Sequence, residues 1–549
     1  MKTKHLGLKI FLIGAVCFAA VFNLETSPFR HIVPSAPFSE CLDNHLAGDT
    51  YVYLYVGGLI SKGLMPYRDF FDHKGPLLYL MIALGIWIGR VAGVWLVQSV
   101  FLFVSAYFAY KTARLLTSRA ASAAASSLAV MWYSLGETGP DTLAVPFLLA
   151  SLYSFVRFLL NGYTIGRLET LGVGACFGAV LLMKMNLVSL WIVFAASVIV
   201  SSIAGKKYVF LLERIVLFLS GAALVALPIL AWLWFKGAFD DFVRVYLEFN
   251  LTDYGDPPPL GNNLLFFIPM IFRRTLQAAV YWALYFCYNL PALLVYLFMV
   301  LHEKERSRKI LFALLAAVLL LSIRLIGAKG FHFIYYCYPM TADYLVFFAL
   351  AFGLIFRLAL RRRAAAAVLF LLLAAPALRA LVIPPVGDWM ARRRIPGADP
   401  AAGPSAFGRP ALDLSRYLRE HTPPDARING VGCSVYWYAD RVCACPLLFE
   451  PEAKLPERGR LPLSQFRPLS FLPAQRSSRL TFYEDENGVP PEYIFERRRR
   501  NPRTGTITVG GKNRPDELET SAEIEERLAA EYDLIYKNEQ YDLYRRKAR

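Results

Sequence analysis

Acidic and basic side chains are concentrated in one stretch between two apolar runs, GDTYVYLYVGGLISKGLMPYRDFFDHKGPLLY at residues 48–79. Six of its side chains could do chemistry: Asp49, Asp69, Asp72, His73, Arg68 and Lys74. A loop that only joins two membrane helices needs none of them. A carboxylate that takes a proton from a hydroxyl group and cations that neutralise a phosphate are what transfer from an anionic, lipid-linked substrate requires.

Further polar clusters lie at the ends of later apolar runs. They are Glu137–Asp141 (ETGPD), Lys184 in LLMKMN, and the segment KGFHFIYY at 329–336 with His332 and Tyr335. Charges beside a membrane are costly unless they have a function, so we interpret these clusters as parts of one site. Simpler interpretations remain: Asp49 as a helix N-cap, Lys184 as a lysine that extends to the interface, and His332 as a stacked interfacial ring.

The composition is that of a polytopic membrane protein. The chain has 549 residues, of which 56% are hydrophobic and only 18% are charged. Its net charge is +17, but the cations stand in short clusters between apolar runs. That pattern marks cytoplasmic loops and argues against a nucleic-acid partner.

Apolar runs of the length of a bilayer predict about eleven transmembrane helices. They lie near residues 8–24, 92–113, 120–135, 143–160, 168–185, 187–204, 211–235, 277–300, 310–326, 333–356 and 364–383. The first run can also be a cleaved signal peptide, but because so many spans follow we expect it to be retained.

Basic residues follow every even-numbered run, which predicts that the 48–79 loop and everything after the last span face outward. Two apolar segments, Pro76–Gly89 and Leu264–Arg274, do not fit this count. We interpret both as helices that lie at the outer interface. A spanning Pro76–Gly89 would invert the later topology, and the charge pattern opposes that.

From about residue 384 the long apolar runs stop, which predicts a small α/β domain over 384–549. Ala411–His421 has helical spacing, Arg427–Gly432 is typical of a short strand, and Tyr532–Tyr536 with Tyr541–Tyr544 predict a hairpin. The run Arg497–Arg500 fits either a solvated loop or a surface for anionic headgroups.

The cysteines show no spacing typical of a metal site, so we assign no metal ligand. A divalent metal cofactor is possible for such a protein, but no motif in the sequence supports one. Four cysteines of outward segments could form a disulfide whose pairing the sequence does not decide: Cys41, Cys433, Cys443 and Cys445.

This arrangement resembles the GT-C superfamily of membrane glycosyltransferases, and most of all the bacterial branch of aminoarabinose transferases and protein O-mannosyltransferases. The most specific parts are the 48–79 stretch and GFHFIYYCYP at 330–339. The resemblance implies a transmembrane catalytic domain over 1–383, with an outer loop at 25–91, and an extracytoplasmic domain over 384–549.

Carried over to matching positions, the resemblance implies that Asp49 is the essential aspartate and that Lys74, before Gly75-Pro76, lies near the lipid phosphate. It also implies that Asp141 and Lys184 belong to the site. Protein O-mannosyltransferases have an Asp-Glu pair where this chain has Asp49-Thr50. That departure weakens the case for a protein acceptor and for a metal.

The function that follows is inverting transfer of a hexosyl or pentosyl group from a polyprenyl-phosphate donor to a cell-envelope glycan, lipid or protein. It would take place at the outer face of the bacterial cytoplasmic membrane. Asp49 would be the general base, and Lys74, Lys184 and, as a weaker candidate, Arg68 would bind the lipid phosphate. Six residues would position substrate: Asp72, His73, Glu137, Asp141, His332 and Tyr335. No Gly-rich nucleotide-sugar fingerprint is visible.

Two alternatives stay open. A flippase or transporter of lipid-linked sugars would show internal repeats and polar groups near the bilayer midplane. An outer-face oligosaccharide ligase or polymerase would differ in its larger donor. The polar clusters at the outer ends of the runs favour the transferase over the transporter.

Overall fold

The computed structural model describes residues 11–20, 49–134, 138–252, 288–327, 337–375, 409–430, 433–444, 489–500, 507–509, 526–538 and 541–548. Over these residues the protein is mainly helical. The helices of the membrane part are α1 Phe11–Ala20, α2 Asp49–Ser61, α3 Pro76–Arg114, α4 Arg119–Ser134, α5 Pro140–Leu143, α6 Val145–Leu160, α7 Arg167–Leu181, α8 Ser189–Ala204, α9 Tyr208–Phe235, α10 Phe239–Phe242, α11 Asn250–Thr252, α12 Asn289–His302, α13 Arg306–Gly327, α14 Thr341–Ala359 and α15 Arg363–Ala375.

The C-terminal part contains helices α16 Arg409–His421, α17 Cys433–Ala439 and α18 at 526–531. Its strands are β1 Ile428–Asn429, β2 Tyr493–Arg500, β3 Ile507–Val509, β4 Tyr532–Lys537 and β5 Tyr541–Arg546. They form one sheet in the order β1-β2-β5-β4, with β3 paired to β2. The predicted hairpin is confirmed, since β4 and β5 pair antiparallel. The proposed boundary near 383 lies outside the described residues.

Five helices among the described residues are long and apolar enough to cross a membrane. They are Pro76–Arg114, Pro140–Leu160, Tyr208–Phe235, Arg306–Ile326 and Thr341–Ala359. Shorter apolar helices occupy four other predicted places, at α1, α8, α12 and α15, and helices α4 and α7 occupy the places predicted at 120–135 and 168–185. The helices therefore lie where the apolar runs predicted them, while the count of about eleven spans stays a prediction.

Helix α3 is two helices that meet at a sharp turn. Gly89 and Arg90 have non-helical dihedrals, and Arg90 has a φ of 53°, which is rare for a side chain with a Cβ. Residues eight apart in a straight helix are separated by about 12 Å along the axis. A Cβ at Gly93 would nevertheless lie 1.9 Å from the Gly85 carbonyl oxygen. The halves thus fold back on each other, and the break falls where the sequence analysis separated an interfacial helix from a span.

Helices α7 and α9 pack backbone to backbone. Cβ atoms at Gly174 and Gly221 would each lie 2.0 Å from a carbonyl oxygen of the facing helix. Small residues permit such close packing where lipid removes the hydrophobic driving force between helices. The outer side of α9 exposes Leu212, Leu219 and Leu227. This packing fixes the C-terminal end of α7, after which Lys184 follows.

The described residues form two main hydrophobic cores. One lies within the helix bundle and includes Trp132, Phe155 and Tyr344. The other joins α2 and the first half of α3 to α16, α17, β2 and β5 of the C-terminal part. The helix that begins at Asp49 is therefore buried between the membrane part and the C-terminal part.

Candidate active site

The N-terminal end of α2 packs against Thr138 and Gly139, which directly precede α5. The Thr50 hydroxyl donates to the Thr138 carbonyl at 3.3 Å, and the Thr138 hydroxyl donates to Gln98 Oε1 at 2.8 Å. All three of these side chains are buried. The Tyr53 ring covers Gly139, where a Cβ would lie 3.1 Å from the ring. Asp49, the first residue of α2, is thereby placed beside the loop that carries Asp141; its side chain lies outside the described residues.

Asp141 and Lys184 form a buried ion pair. Lys184 Nζ lies 2.8 Å from Asp141 Oδ1 and 2.7 Å from Oδ2, so both carboxylate oxygens accept. The side chains are 5% and 13% exposed, respectively. A lysine that extended to the interface would instead hold its ammonium group in water. Lys184 turns inward because Asp141 compensates its charge.

The segment between α2 and α3 ends in contact with the residues just before Lys184. The Gly75 N–H donates to the Met183 carbonyl and the Leu77 N–H to the Leu182 carbonyl, both at 3.0 Å. A Cβ at Gly75 would lie 2.0 Å from the Leu182 carbonyl oxygen. Only glycine permits this approach. Lys74 and Lys184 are thus each one residue from the same backbone contact.

The Lys74 side chain is held by its own loop. Its Nζ lies 2.8 Å from His73 Nε2 and 3.9 Å from Asp72 Oδ1. Because an ammonium group only donates, the imidazole accepts at Nε2 and carries its proton on Nδ1. His73 Nδ1 lies 3.6 Å from Asp72 Oδ1, which also accepts the His73 backbone N–H at 2.7 Å. Asp72, His73 and Lys74 therefore form one cluster with Asp72 at its buried end.

The backbone around Lys74 is fixed by three side chains. The Tyr67 hydroxyl donates to the Lys74 carbonyl at 2.6 Å, and the Lys74 N–H donates to the Tyr79 hydroxyl at 3.1 Å. Asn250 donates to the His73 carbonyl at 2.7 Å. Burial, and then the proximity of Tyr246 and Asp72, raises the pKa of Tyr67 well above its ordinary value, so this hydroxyl stays protonated. These hydrogen bonds hold the backbone at residues 73–74 in one conformation.

Asn250 is a site residue that the sequence analysis missed. It is 177 positions from His73 and follows a π-helix over Val243–Phe249. Phe249 of that π-helix packs edge-on against the His73 ring, with centroids 5.9 Å apart. A π-helix is often associated with a functional site, but its irregular hydrogen bonding leaves no clear pattern in the sequence.

Arg68 lies on the same loop but is engaged elsewhere. Its guanidinium pairs with Asp69 at 2.7 Å and 2.8 Å and donates to the Lys236 carbonyl at 2.5 Å. The hydrogen bond with Asp69 raises the pKa of Arg68. Arg68 thus contacts the loop after α9. Its partners, Asp69 and Lys236, differ from the partners of the Lys74 side chain, His73 and Asp72.

The remaining predicted site residues, Glu137, His332 and Tyr335, lie outside the described residues. So do Cys41, Cys445 and the segment Leu264–Arg274. Within the described ranges, no group of three or more His, Cys, Asp or Glu side chains is arranged to hold a metal ion. The geometry is that of two charged clusters, Asp72-His73-Lys74 and Asp141-Lys184, joined by the backbone contact between Gly75 and Met183.

A family model described as competence-induced protein Ccs4, N-terminal domain, matches residues 35–272. No match was found among curated protein sequences.

Two solved structures are similar over most of the chain. The oligosaccharyltransferase AglB of Archaeoglobus fulgidus, in complex with an inhibitory peptide and a dolichol-phosphate, has a TM-score of 0.53 and 13% identity. That likeness covers 96% of this chain and 80% of AglB. ArnT of Cupriavidus metallidurans, bound to undecaprenyl phosphate, has a TM-score of 0.53 and 11% identity, and 98% of each chain is covered.

These likenesses show the fold. AglB and ArnT are both members of the GT-C superfamily. The chain therefore has the GT-C fold, as the resemblance in the 48–79 stretch predicted. With its apolar helices, it is a multi-pass membrane protein.

Proposed function

We propose that the protein is a glycosyltransferase that takes a sugar from a polyprenyl-phosphate carrier and transfers it to a hydroxyl group of a cell-envelope acceptor. The observation that carries this proposal is the contact of Gly75 with Met183, which places the backbone of Lys74 next to that of Lys184. Two cations and a carboxylate-bearing helix end at one place suit a substrate with a phosphate leaving group. The polyprenyl-phosphate lipids bound to AglB and ArnT support the same class of donor.

The chemistry assigned to Asp49 is general base catalysis. Its carboxylate removes the proton of the acceptor hydroxyl while that oxygen attacks the anomeric carbon. The bond from this carbon to the phosphate oxygen breaks on the opposite side, so the configuration inverts. One base suffices for such a single displacement, whereas a retaining reaction needs a second carboxylate as nucleophile.

The lysines stabilise the departing phosphate. Lys74 is held by a neutral imidazole, which a phosphate oxygen can replace as the acceptor of its ammonium protons. Lys184 is paired with Asp141, whose carboxylate can also accept from a sugar or acceptor hydroxyl. His73 and Asp72 orient Lys74 from behind.

The position of the reaction follows from the charge pattern. Basic loops after even-numbered spans put the 48–79 loop and the C-terminal part outside the cytoplasmic membrane. The lipid carrier would enter from the bilayer and the acceptor from the aqueous side. Labels in the 303–309 loop and in the C-terminal part should report opposite sides; accessibility from one side would overturn the one-sided site.

The test of the proposal is Asp49→Asn. Asn caps a helix about as well as Asp but cannot take up a proton. Loss of a general base lowers the rate by on the order of 10²–10⁴. We expect a variant that unfolds at the wild-type temperature and is inactive in transfer from a purified polyprenyl-phosphate sugar.

Asp49→Ala is the matched control for capping. If Asp49 only caps α2, the Ala variant should lose roughly 1 kcal/mol of stability while the Asn variant stays active. A folded Asn variant with wild-type transfer would remove Asp49 from the chemistry. An inactive, folded Asn variant would also argue against a flippase, for which no proton need leave an acceptor.

A further inference from the structure

Helix α2 is held from two sides. Thr50, Tyr53 and Gly57 face the membrane part, where they meet Thr138, Gly139 and Ile82. The C-terminal module, which we define as the described residues from 409 onward, covers another side through α17. An isolated 13-residue helix is only marginally stable in water, so these two surfaces decide where α2 lies.

Two tyrosines of α2, Tyr51 and Tyr55, contact the C-terminal module. The hydroxyl groups of Tyr51 and Tyr438 are 2.9 Å apart. The Tyr55 ring stacks on Tyr436 with centroids 5.6 Å apart, and its hydroxyl accepts the Cys443 N–H at 2.6 Å. Burial raises the pKa of Tyr55 well above its ordinary value, so this side chain stays neutral in the contact.

Trp437 fills a notch on the same side of α2. A Cβ at Gly58 would lie 3.0 Å from its ring, and the Arg90 guanidinium stands 5.8 Å from the ring centroid. Arg90 is the residue at the turn of α3 with positive φ. Trp437 thus contacts α2 and the turn in α3 at once, and it is 9% exposed.

We infer that the C-terminal module is a positioning element for the active site, acting through Tyr436, Trp437 and Tyr438 on the helix that begins at Asp49. The inference rests on the proposed function, because it gives α2 the task of carrying the base. None of these residues needs to touch substrate. A displacement of about 1 Å at a reacting group can cost on the order of 10²-fold in rate, so a shifted α2 would be felt as lost turnover.

The experiment inserts a wedge into the docked surface. Gly58→Leu places a side chain where the Trp437 ring lies and should tilt α2 from the module. We expect a fall in kcat of about 10- to 100-fold with the donor KM within about twofold, because the backbone at Lys74 is fixed separately by Tyr67, Tyr79 and Asn250. Trp437→Ala in the Gly58→Leu background should restore most of the lost kcat by returning the space.

Lys62→Ala is the control on the rim of this surface. Lys62 pairs with Asp440 at 2.8 Å, but the side chains are 43% and 58% exposed. An exposed pair contributes about 0–1 kcal/mol, so kcat should stay unchanged. If Lys62→Ala lost as much kcat as Gly58→Leu, the inference would be overturned. That result would mean that any substitution on this surface lowers kcat, whether or not it displaces α2.

A milder pair keeps the inference testable if Gly58→Leu does not fold. Tyr51→Phe and Tyr438→Phe each remove one hydroxyl and keep the ring. Their effects on kcat and on the unfolding temperature should be non-additive, because they share one hydrogen bond. Additive effects, or a folded Gly58→Leu with wild-type kcat, would show that the module does not position α2. The unfolding measurement needs no substrate, so it separates failure of this inference from failure of the proposed function, which Asp49→Asn tests alone.

Discussion

Lys74 and Lys184 approach the same backbone contact with different partners. Lys184 faces both oxygens of the Asp141 carboxylate at 2.7–2.8 Å, whereas Lys74 faces a neutral imidazole at 2.8 Å and a carboxylate oxygen only at 3.9 Å. Each cluster contains one ammonium group and one carboxylate, but the two charges are in direct contact in the first cluster and farther apart in the second, where an imidazole accepts from the lysine. Two lysines that look equivalent in sequence therefore differ in how closely a carboxylate compensates their charge.

The difference has an energetic reason. A buried charge is costly unless a close partner compensates it, and removal of one partner leaves the other uncompensated. The Asp141 carboxylate offsets the cost of burying the Lys184 ammonium group. Lys74 has a longer ion pair with Asp72, at 3.9 Å, and its backbone is also fixed by hydrogen bonds with Tyr67 and Tyr79. Lys184 should therefore matter more for stability, and Lys74 more for donor binding.

The largest effect is expected for Asp141→Ala. It leaves the Lys184 ammonium group buried without its carboxylate, which costs about 3–5 kcal/mol of unfolding free energy. Lys184→Met added to Asp141→Ala removes the orphaned charge and should return most of that stability. Thermal unfolding in detergent measures both. Equal stability of the single and double variants would mean that the pair does not compensate a buried charge.

Next comes Lys74. Lys74→Ala should lower transfer from a polyprenyl-phosphate sugar by about 10²–10³, the usual loss for one group that stabilises a developing charge. Lys74→Glu should be worse, because it repels the phosphate, while both variants unfold as wild type does. Normal donor use in the two variants would leave Lys74 as a lysine without a role in the site.

Gly75→Ala tests whether the two lysines act through their shared contact. The new Cβ would meet the Leu182 carbonyl oxygen at 2.0 Å, so one segment must move. We expect a loss of about 1–3 kcal/mol of stability together with weaker donor use. Gly172→Ala is the matched control, since a Cβ there meets nothing within 4 Å. Similar behaviour of the two variants would speak against a required close approach.

The smallest effect is expected for Arg68→Ala. Arg68 is paired with Asp69, and its side chain is 33% exposed. Such pairs contribute about 0–1 kcal/mol, and donor use should change by no more than about fivefold. A loss as large as that of Lys74→Ala would instead make Arg68 a phosphate ligand, and would show that its pairing with Asp69 opens when substrate binds.

Much of the architecture could be predicted from apolar runs. The positions of α6, α9 and α13 and the hairpin of β4 and β5 follow from hydrophobic length and alternation. The convergence of the 72–76, 138–141 and 184 clusters was also predicted, since they occupy the same side in the charge-derived topology. The contacts that fix them were not. Asn250 and Trp437 carry no local signal, because their partners lie far away in the chain.

The sequence by itself determined that this chain is membrane-embedded and that its charged groups cluster at the ends of apolar runs. Hydrophobic length and charge are local properties, and each segment enters the bilayer or stays outside it according to its own length and charge. The tertiary structure alone decided which groups pair. In that structure Lys184 pairs with Asp141, Lys74 contacts His73, and Trp437 packs on Gly58 of α2. Pairing depends on close packing between segments that are distant in the chain. That packing relies on glycines that allow close approach and on single hydrogen bonds, which form only when the helices are packed together.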